Sequence, residues 1–101
     1  MRIYHVATAS DWTAALESGA YSTSTRGVTL EQEGFIHAAR DDQVEGVRSR
    51  YYADAEEPLV LLSIDTDLLD VPWREDPVGD DTYPHLYGAL NPVAVVEVTP
   101  L

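Results

Sequence analysis

Leu59-Val60-Leu61-Leu62-Ser63-Ile64-Asp65 is the segment that most restricts how this chain can fold. Side chains alternate between the two faces of a strand, and both faces are apolar here. The segment must therefore run centrally in a sheet, covered from both sides. Arg2 to Ala7, with Ile3, Tyr4 and Val6 giving β propensity on both faces, is expected as a second central strand. The rest of the chain has to supply the covering layers.

Two helices are expected to do so. Ser10 is the best N-cap for the first, which carries Trp12, Ala15 and Leu16 at helical spacing and stops at Gly19. The second runs from Asp41 to about Ala53, capped by Asp41 or Asp42, with Val44, Val47 and Tyr51 on one face. Between them, Tyr21 to Gly27 is polar and is expected as a surface loop. Thr29-Leu30-Glu31-Gln32 resembles a capping box and starts one helical turn. Gly34 follows, permitting a tight entry or a close backbone approach ahead of a strand from Phe35 to Ala38.

After the central strand come an acidic helical turn within Asp65 to Asp70 and an edge or irregular strand from Val71 to Glu75. Asp76 to Asp81 is a loop, either a flap over a site or an ordinary surface excursion. Tyr83 to Gly88, a turn at Asn91-Pro92 and a last strand from Val93 to Val98 complete the chain. Helices early and strands late predict an α+β fold with a mixed or antiparallel sheet, as one domain over residues 1–101.

The three histidines, His5, His37 and His85, all fall in strand-like runs and none in the acidic stretches. Two residues away on the same face stand Ile3, Phe35 and Tyr87 respectively. Three such segments meeting at one partly buried cleft would supply a proton donor, a proton acceptor and a hydrogen-bond donor to a ligand. The plainer alternative is that each imidazole bonds backbone within the core.

Composition removes several chemistries. The chain lacks cysteine, which excludes disulfides, thiolate metal sites and thiol nucleophiles, and lacks lysine, which excludes Schiff bases and a P-loop lysine. A net charge of -12 disfavours generic nucleic-acid or anionic-membrane binding, although a local arginine can still hold a small anion. No apolar run approaches the roughly 20 residues that span a bilayer. A cytoplasmic location is the default, and a monomer or weak homodimer the expected state.

Ile3-Tyr4-His5, Trp12, Glu33-Gly34-Phe35-Ile36-His37, the central strand and Pro84-His85-Leu86-Tyr87-Gly88, in this order, resemble the bacterial family known as domain of unknown function 952. Its members look like small α+β proteins with no established activity. Their fold is similar to that of the ADP-ribosyltransferases, a split, bent antiparallel or mixed sheet with two main helices that cradles NAD. The resemblance implies NAD or a related nucleotide as ligand, and ADP-ribosyl or phosphoryl transfer as activity. Tyr4-His5 resembles the first-strand motif of the diphtheria-toxin and poly-ADP-ribose polymerase branch, whose histidine holds the adenosine ribose. Phe35-Ile36-His37 takes the place of the second motif, normally a serine or tyrosine near nicotinamide. The RNA 2'-phosphotransferases, which work with histidine and arginine, are chemically nearer. At the third motif, transferases use a glutamate, whereas this chain presents His85 and Tyr87, and Glu75 would have to reach in from another segment.

On that basis His37, His85 and Glu75 are the candidate catalytic residues. Tyr4, His5, Arg26, Gly34, Arg40, Trp73 and Tyr87 are the candidates for holding the nucleotide. His5 grips a ribose, Arg26, Arg40 or Arg74 forks onto phosphate, and Trp73 or Tyr87 stacks on a base. Two other readings stand beside this one. One is a catalytically inert binding module, and the other a zinc hydrolase in which three histidines and a water complete a tetrahedron. No histidine spacing pre-organises a metal site, so no metal is expected.

Overall fold

In the computed structural model, which describes residues 1–101, the chain opens with β1 (Arg2–Thr8), α1 (Ala9–Ser18), β2 (Thr23–Thr25) and β3 (Val28–Thr29). It continues through α2 (Leu30–Glu33), β4 (Ile36–His37), a 3-10 turn at Asp41–Gln43 and α3 (Val44–Tyr51). Next come β5 (Leu59–Asp65), β6 (Trp73–Val78), β7 (Asp81–Leu86) and β8 (Val95–Pro100), with 3-10 turns at Thr66–Leu68 and Pro92–Ala94. The strands form a β1-β5-β8 sheet, a β4-β7-β6 sheet and a β2-β3 ribbon. Every pairing is antiparallel, so the α+β expectation holds.

β5 is central, as its two-sided apolarity requires. Its Leu62 and Ile64 are fully buried in the main core with Ile3, Ala7, Trp12, Tyr21, Ile36 and Leu86. Burial of one such side chain contributes roughly 1.5–3 kcal/mol. β1 is not flanked by strands on both sides. Its apolar faces are used differently, one lying on the main core and the other, through Val6, under Val44 and Val47 of α3. Its free edge meets the second sheet at a single bridge, where the Tyr4 and Ala39 amides each donate to the other's carbonyl at 2.8 and 2.7 Å. That bridge is the seam between the two sheets.

Several boundaries differ from expectation for local reasons. Thr8, not Ser10, caps α1, its hydroxyl accepting from the Asp11 amide at 3.1 Å. The expected Tyr21 to Gly27 loop contains β2, which pairs with β3 just beyond it and whose buried Ser24 donates its hydroxyl to the Phe35 carbonyl. The capping box forms at Thr29 and Gln32 as expected. The second helix is shorter, and it is Tyr52, just past its end, that enters the core while Tyr51 stays exposed.

The largest difference is at Asp76 to Asp81, which belongs to a hairpin. Val78 pairs with Asp81 across Gly79-Asp80. Gly79 has φ 62 at the first turn position and Asp80 does not, the pattern of a type II' turn. Pro77 is accommodated because β6 is an edge strand. At the other end of β7, Gly88 is needed for space, since a Cβ there would lie 2.5 Å from Cγ1 of Val71. No helix is long and apolar enough to cross a membrane.

Candidate functional site

The β4-β7-β6 sheet has one face in the core and one face that carries the chemistry. His37 and Arg74 both pair with His85, and Asp76 pairs with Tyr83. Side-chain alternation then gathers His37, His85, Tyr83, Tyr87, Arg74 and Asp76 on one face. Ile36, Leu86 and Trp73 point the other way, where Ile36 and Leu86 are fully buried and Trp73 packs against the core.

Asp76 is the hub of that face. Its Oδ2 accepts from the Tyr87 hydroxyl and, at 2.8 Å, from His85 Nδ1, while Oδ1 accepts from Arg74 Nε at 2.8 Å. The Tyr87 hydroxyl is the main cause that holds the Asp76 carboxyl below the usual carboxylate range, against desolvation and with help from His85 and Arg74. The Arg74 guanidinium also lies over the Tyr87 ring, 4.5 Å from its centroid. Because the carboxylate can only accept, a His85 proton sits on Nδ1, and in the neutral ring the lone pair is on Nε2. Nε2 is buried and has no partner.

Two rings enclose His85. Phe35 stacks on it with centroids 4.0 Å apart and planes at 20°. His37 presents its edge at 5.0 Å and 88°. His37 is half-buried and its Nε2 lies 3.1 Å from Glu33 Oε1. Burial lowers the His37 pKa, with Glu33 pulling in the opposite sense.

His5 stands apart from this pair. Its Nδ1 donates to the His37 carbonyl at 2.5 Å, so its Nε2 is the acceptor and takes the Tyr21 hydroxyl proton at 2.9 Å. Burial lowers its pKa to about 4, leaving the ring neutral at physiological pH, and pushes the Tyr21 phenol upward. His5 and His37 both line the cleft described below, so the expectation of three imidazoles in one cleft is corrected only for His85, which lies outside its lining. His37 and His85 meet ring to ring, whereas His5 spends Nδ1 on the His37 carbonyl of β4 and Nε2 on the Tyr21 hydroxyl. No three His, Asp or Glu side chains are grouped so as to hold a metal ion.

Glu75 and Arg40 are corrected as well. Glu75 pairs with Pro84 in the register, one residue out of phase with His85, so its side chain leaves from the opposite face. There it meets Arg40 at 2.7 Å, and Arg40 is further bound by Asp81 at 3.0 Å and by the Thr82 carbonyl at 2.9 Å. Arg26 is committed to Asp54 at 2.6 Å. Gly34 adopts φ 93 as the left-handed cap of α2, with nothing within 4 Å of where a Cβ would be. Backbone rotation, not close approach of a ligand, accounts for it.

Asp76 was not among the residues singled out from the sequence. The signal for it is the i, i+2 pairing of Arg74 and Asp76 opposite His85 and Tyr83, legible once Gly79-Asp80 is taken as a hairpin turn.

The same face continues past His37, Tyr83 and Val78 into a cleft between α3 and the seam. Tyr4, Val6 and Ala39 form its floor, and Val44, Val47 and Tyr51 its helical wall. The cavity measures about 50 Å³. That is room for a few waters at roughly 10–15 Å³ each, against roughly 300–1,000 Å³ for a pocket that encloses a drug-sized ligand. As it stands the cleft does not enclose a dinucleotide.

A small α+β fold of antiparallel sheets, with Glu-Gly-Phe-Ile-His and Pro-His-Leu-Tyr-Gly side by side at its centre, defines the class. Residues 6–98 match the family described as Protein of unknown function (DUF952), and the chain belongs to it. Its fold is similar to the crystal structure of protein CC0527 from Caulobacter crescentus, with a TM-score of 0.84 and 25% identity over 100% of this chain and 86% of that one. A double mutant of the same Caulobacter protein gives a TM-score of 0.79 at 26% identity with the same coverage. No curated protein matches the chain.

Proposed function

We propose that this protein binds a nucleotide-like small molecule of the NAD or ADP-ribose type, laid across the face that joins the cleft to His37, His85 and Asp76. The observation that carries the reading is the buried, unpartnered Nε2 of His85 beside the half-buried ring of His37. An acceptor buried without a partner costs about 1–3 kcal/mol, and a ligand hydroxyl or amide donating to it once Phe35 moves aside would recover that loss. Tyr83 and Tyr87 offer surfaces on which a base can stack. Two bent antiparallel sheets meeting at a seam beside a cleft are in keeping with the ADP-ribosyltransferase-like fold that the sequence resembles.

Were ADP-ribosyl or phosphoryl transfer to occur, His85 Nε2 would be the base, oriented by Asp76, and His37 the proton donor. Glu75 has no part in it. The inert binding module is favoured by a specific observation. Asp76 already accepts from three side chains and Glu33 is paired with His37, so neither carboxylate is free to orient an attacking group. In either version the protein works as a monomer or weak homodimer, without a metal, a nucleic acid or a membrane.

A thermal-shift titration with NAD, ADP-ribose and zinc, on the protein and on His37→Ala, tests the reading. A ligand at ~100 times its dissociation constant adds about 2.7 kcal/mol to the folded state. Stabilisation by NAD or ADP-ribose that disappears in the variant is the expected result. Silence from both nucleotides overturns it, and a shift with zinc alone would replace it with the metal reading.

A further inference from the structure

The chain has 18 acidic residues, yet none lines the cleft. The one side chain there with a permanent charge is Arg50. Arg2, Arg26, Arg40 and Arg74 are each paired with carboxylates, Arg26, Arg40 and Arg74 through contacts of 3.0 Å or less. Arg50 has no carboxylate partner, and the polar side chains nearest its guanidinium are the Tyr51 and Tyr83 hydroxyls, which leave most of its five donors unused. It extends from the last turn of α3 with Cζ 5.8 Å from the Tyr51 ring centroid. Tyr51 first, and then Tyr83, raise its pKa. The helix dipole accounts for a basic residue in the last turn, and Arg48 fills that need too. It does not account for a guanidinium with free donors beside an apolar cavity between two tyrosines.

We propose that Arg50 is the anion-binding residue of the cleft, and that its ligand is a small molecule with a flat aromatic or heterocyclic body bearing one phosphate or carboxylate. The inference deepens the reading above, on which it rests for the ligand's place but not for its being a nucleotide. The planar fork of the guanidinium matches two oxygens of either anion. The flat body lies between Tyr51 and Tyr83, with an edge directed at Val44, Val47 and Tyr4. With a net charge of -12 the protein repels anions at long range, so a carboxylate-free patch is where one can settle. The phosphate-binding role expected of Arg26, Arg40 or Arg74 passes to Arg50.

Calorimetric titration with phenyl phosphate, benzoate and phenol, and with AMP and adenosine, on the full chain and on Arg50→Met and Arg48→Met, decides the matter. Phenyl phosphate or benzoate is expected to bind at least about tenfold more tightly than phenol, the scale of one charge-assisted contact. Arg50→Met erases that preference, while Arg48→Met, with the same loss of charge, keeps it. Arg50 is exposed and Arg48 partly exposed, and a melting curve for each variant verifies folding. The phosphate and benzoate arms separate the two anion types. Equal binding of phenol and both anions, no binding by any of the three, or a preference that survives in Arg50→Met overturns the proposal. AMP and adenosine binding equally well to both proteins would also overturn it while leaving the nucleotide reading intact. Loss of phenyl phosphate binding in Arg50→Met, with AMP silent throughout, would uphold Arg50 and sink the nucleotide reading.

Discussion

His5 and His85 are buried to the same degree, 4% and 2% exposed, and both lie on strands. They differ in what their nitrogens do. At His5 each nitrogen has a protein partner, the His37 carbonyl on one side and the Tyr21 hydroxyl on the other. At His85 one nitrogen is fixed by Asp76 and the other is left over. Burial alone therefore does not mark a histidine as structural or functional. The count of satisfied nitrogens does, because a fully bonded imidazole has no capacity left for a ligand.

The same substitution at both positions gives the largest contrast. His5→Leu strands the Tyr21 hydroxyl and the His37 carbonyl inside the protein, and is expected to cost about 3 kcal/mol by urea denaturation. In a domain of this size that lowers Tm by more than about 10 °C. A loss below about 1 kcal/mol would break the comparison at its stronger end.

The pH dependence sharpens it. The folded pKa of His5 is about 4, below the 6.5 of an unfolded chain. Between those values the unfolded state takes up a proton that the folded state refuses. The stabilisation is thus complete above about pH 6.5 and falls by about 3 kcal/mol as pH drops to about 4. His37, also lowered by burial, adds to the same limb. Urea midpoints from pH 7.5 to 4 should trace this decline in the natural protein and a shallower one in His5→Leu.

His85→Leu is expected to cost no more than about 1 kcal/mol, since one bond is lost but an unpartnered buried acceptor is removed with it. It should also abolish the thermal response to NAD or ADP-ribose. A loss as large as that of His5→Leu would place both histidines in the same class. Glu75→Gln has the smallest expected effect. It should leave the response to nucleotide unchanged, and a weakened response would return Glu75 to the site.

The parts of the fold written in local pattern were legible. β5, the capping box at Thr29 and Gln32, and the Gly19 stop depend on neighbours in the chain, and each formed where expected. The placement of all three histidines on strands was also legible. Which rings meet was not, because that depends on the phase of the pleat after strands pair. One residue of phase separates Glu75 from Asp76 and sends them to opposite faces. The start of β6 was legible as the edge strand expected at Val71 to Glu75, but its continuation to Val78 was disguised, since an edge position tolerates Pro77 and acidic residues that a central strand would not. Arg50 could not be distinguished from Arg48 without knowing which side of α3 turns toward the seam.

The order β1-β5-β8 has a kinetic consequence. Arg2 is registered with Asp65, and Val60 with Pro100, so no strand of that sheet reaches its neighbour through a tight turn. Loops of that length must close before their contacts stabilise anything, which puts assembly of the sheet on the millisecond-to-second scale. The β6-β7 hairpin closes through two residues, on the order of 1–10 μs. Stopped-flow fluorescence should accordingly detect Trp73, in a Trp12→Phe variant, before Trp12 in a Trp73→Phe variant. Asp76 and His85 would then find each other early, and the imidazole that closes the seam would be the last of the three to be seated.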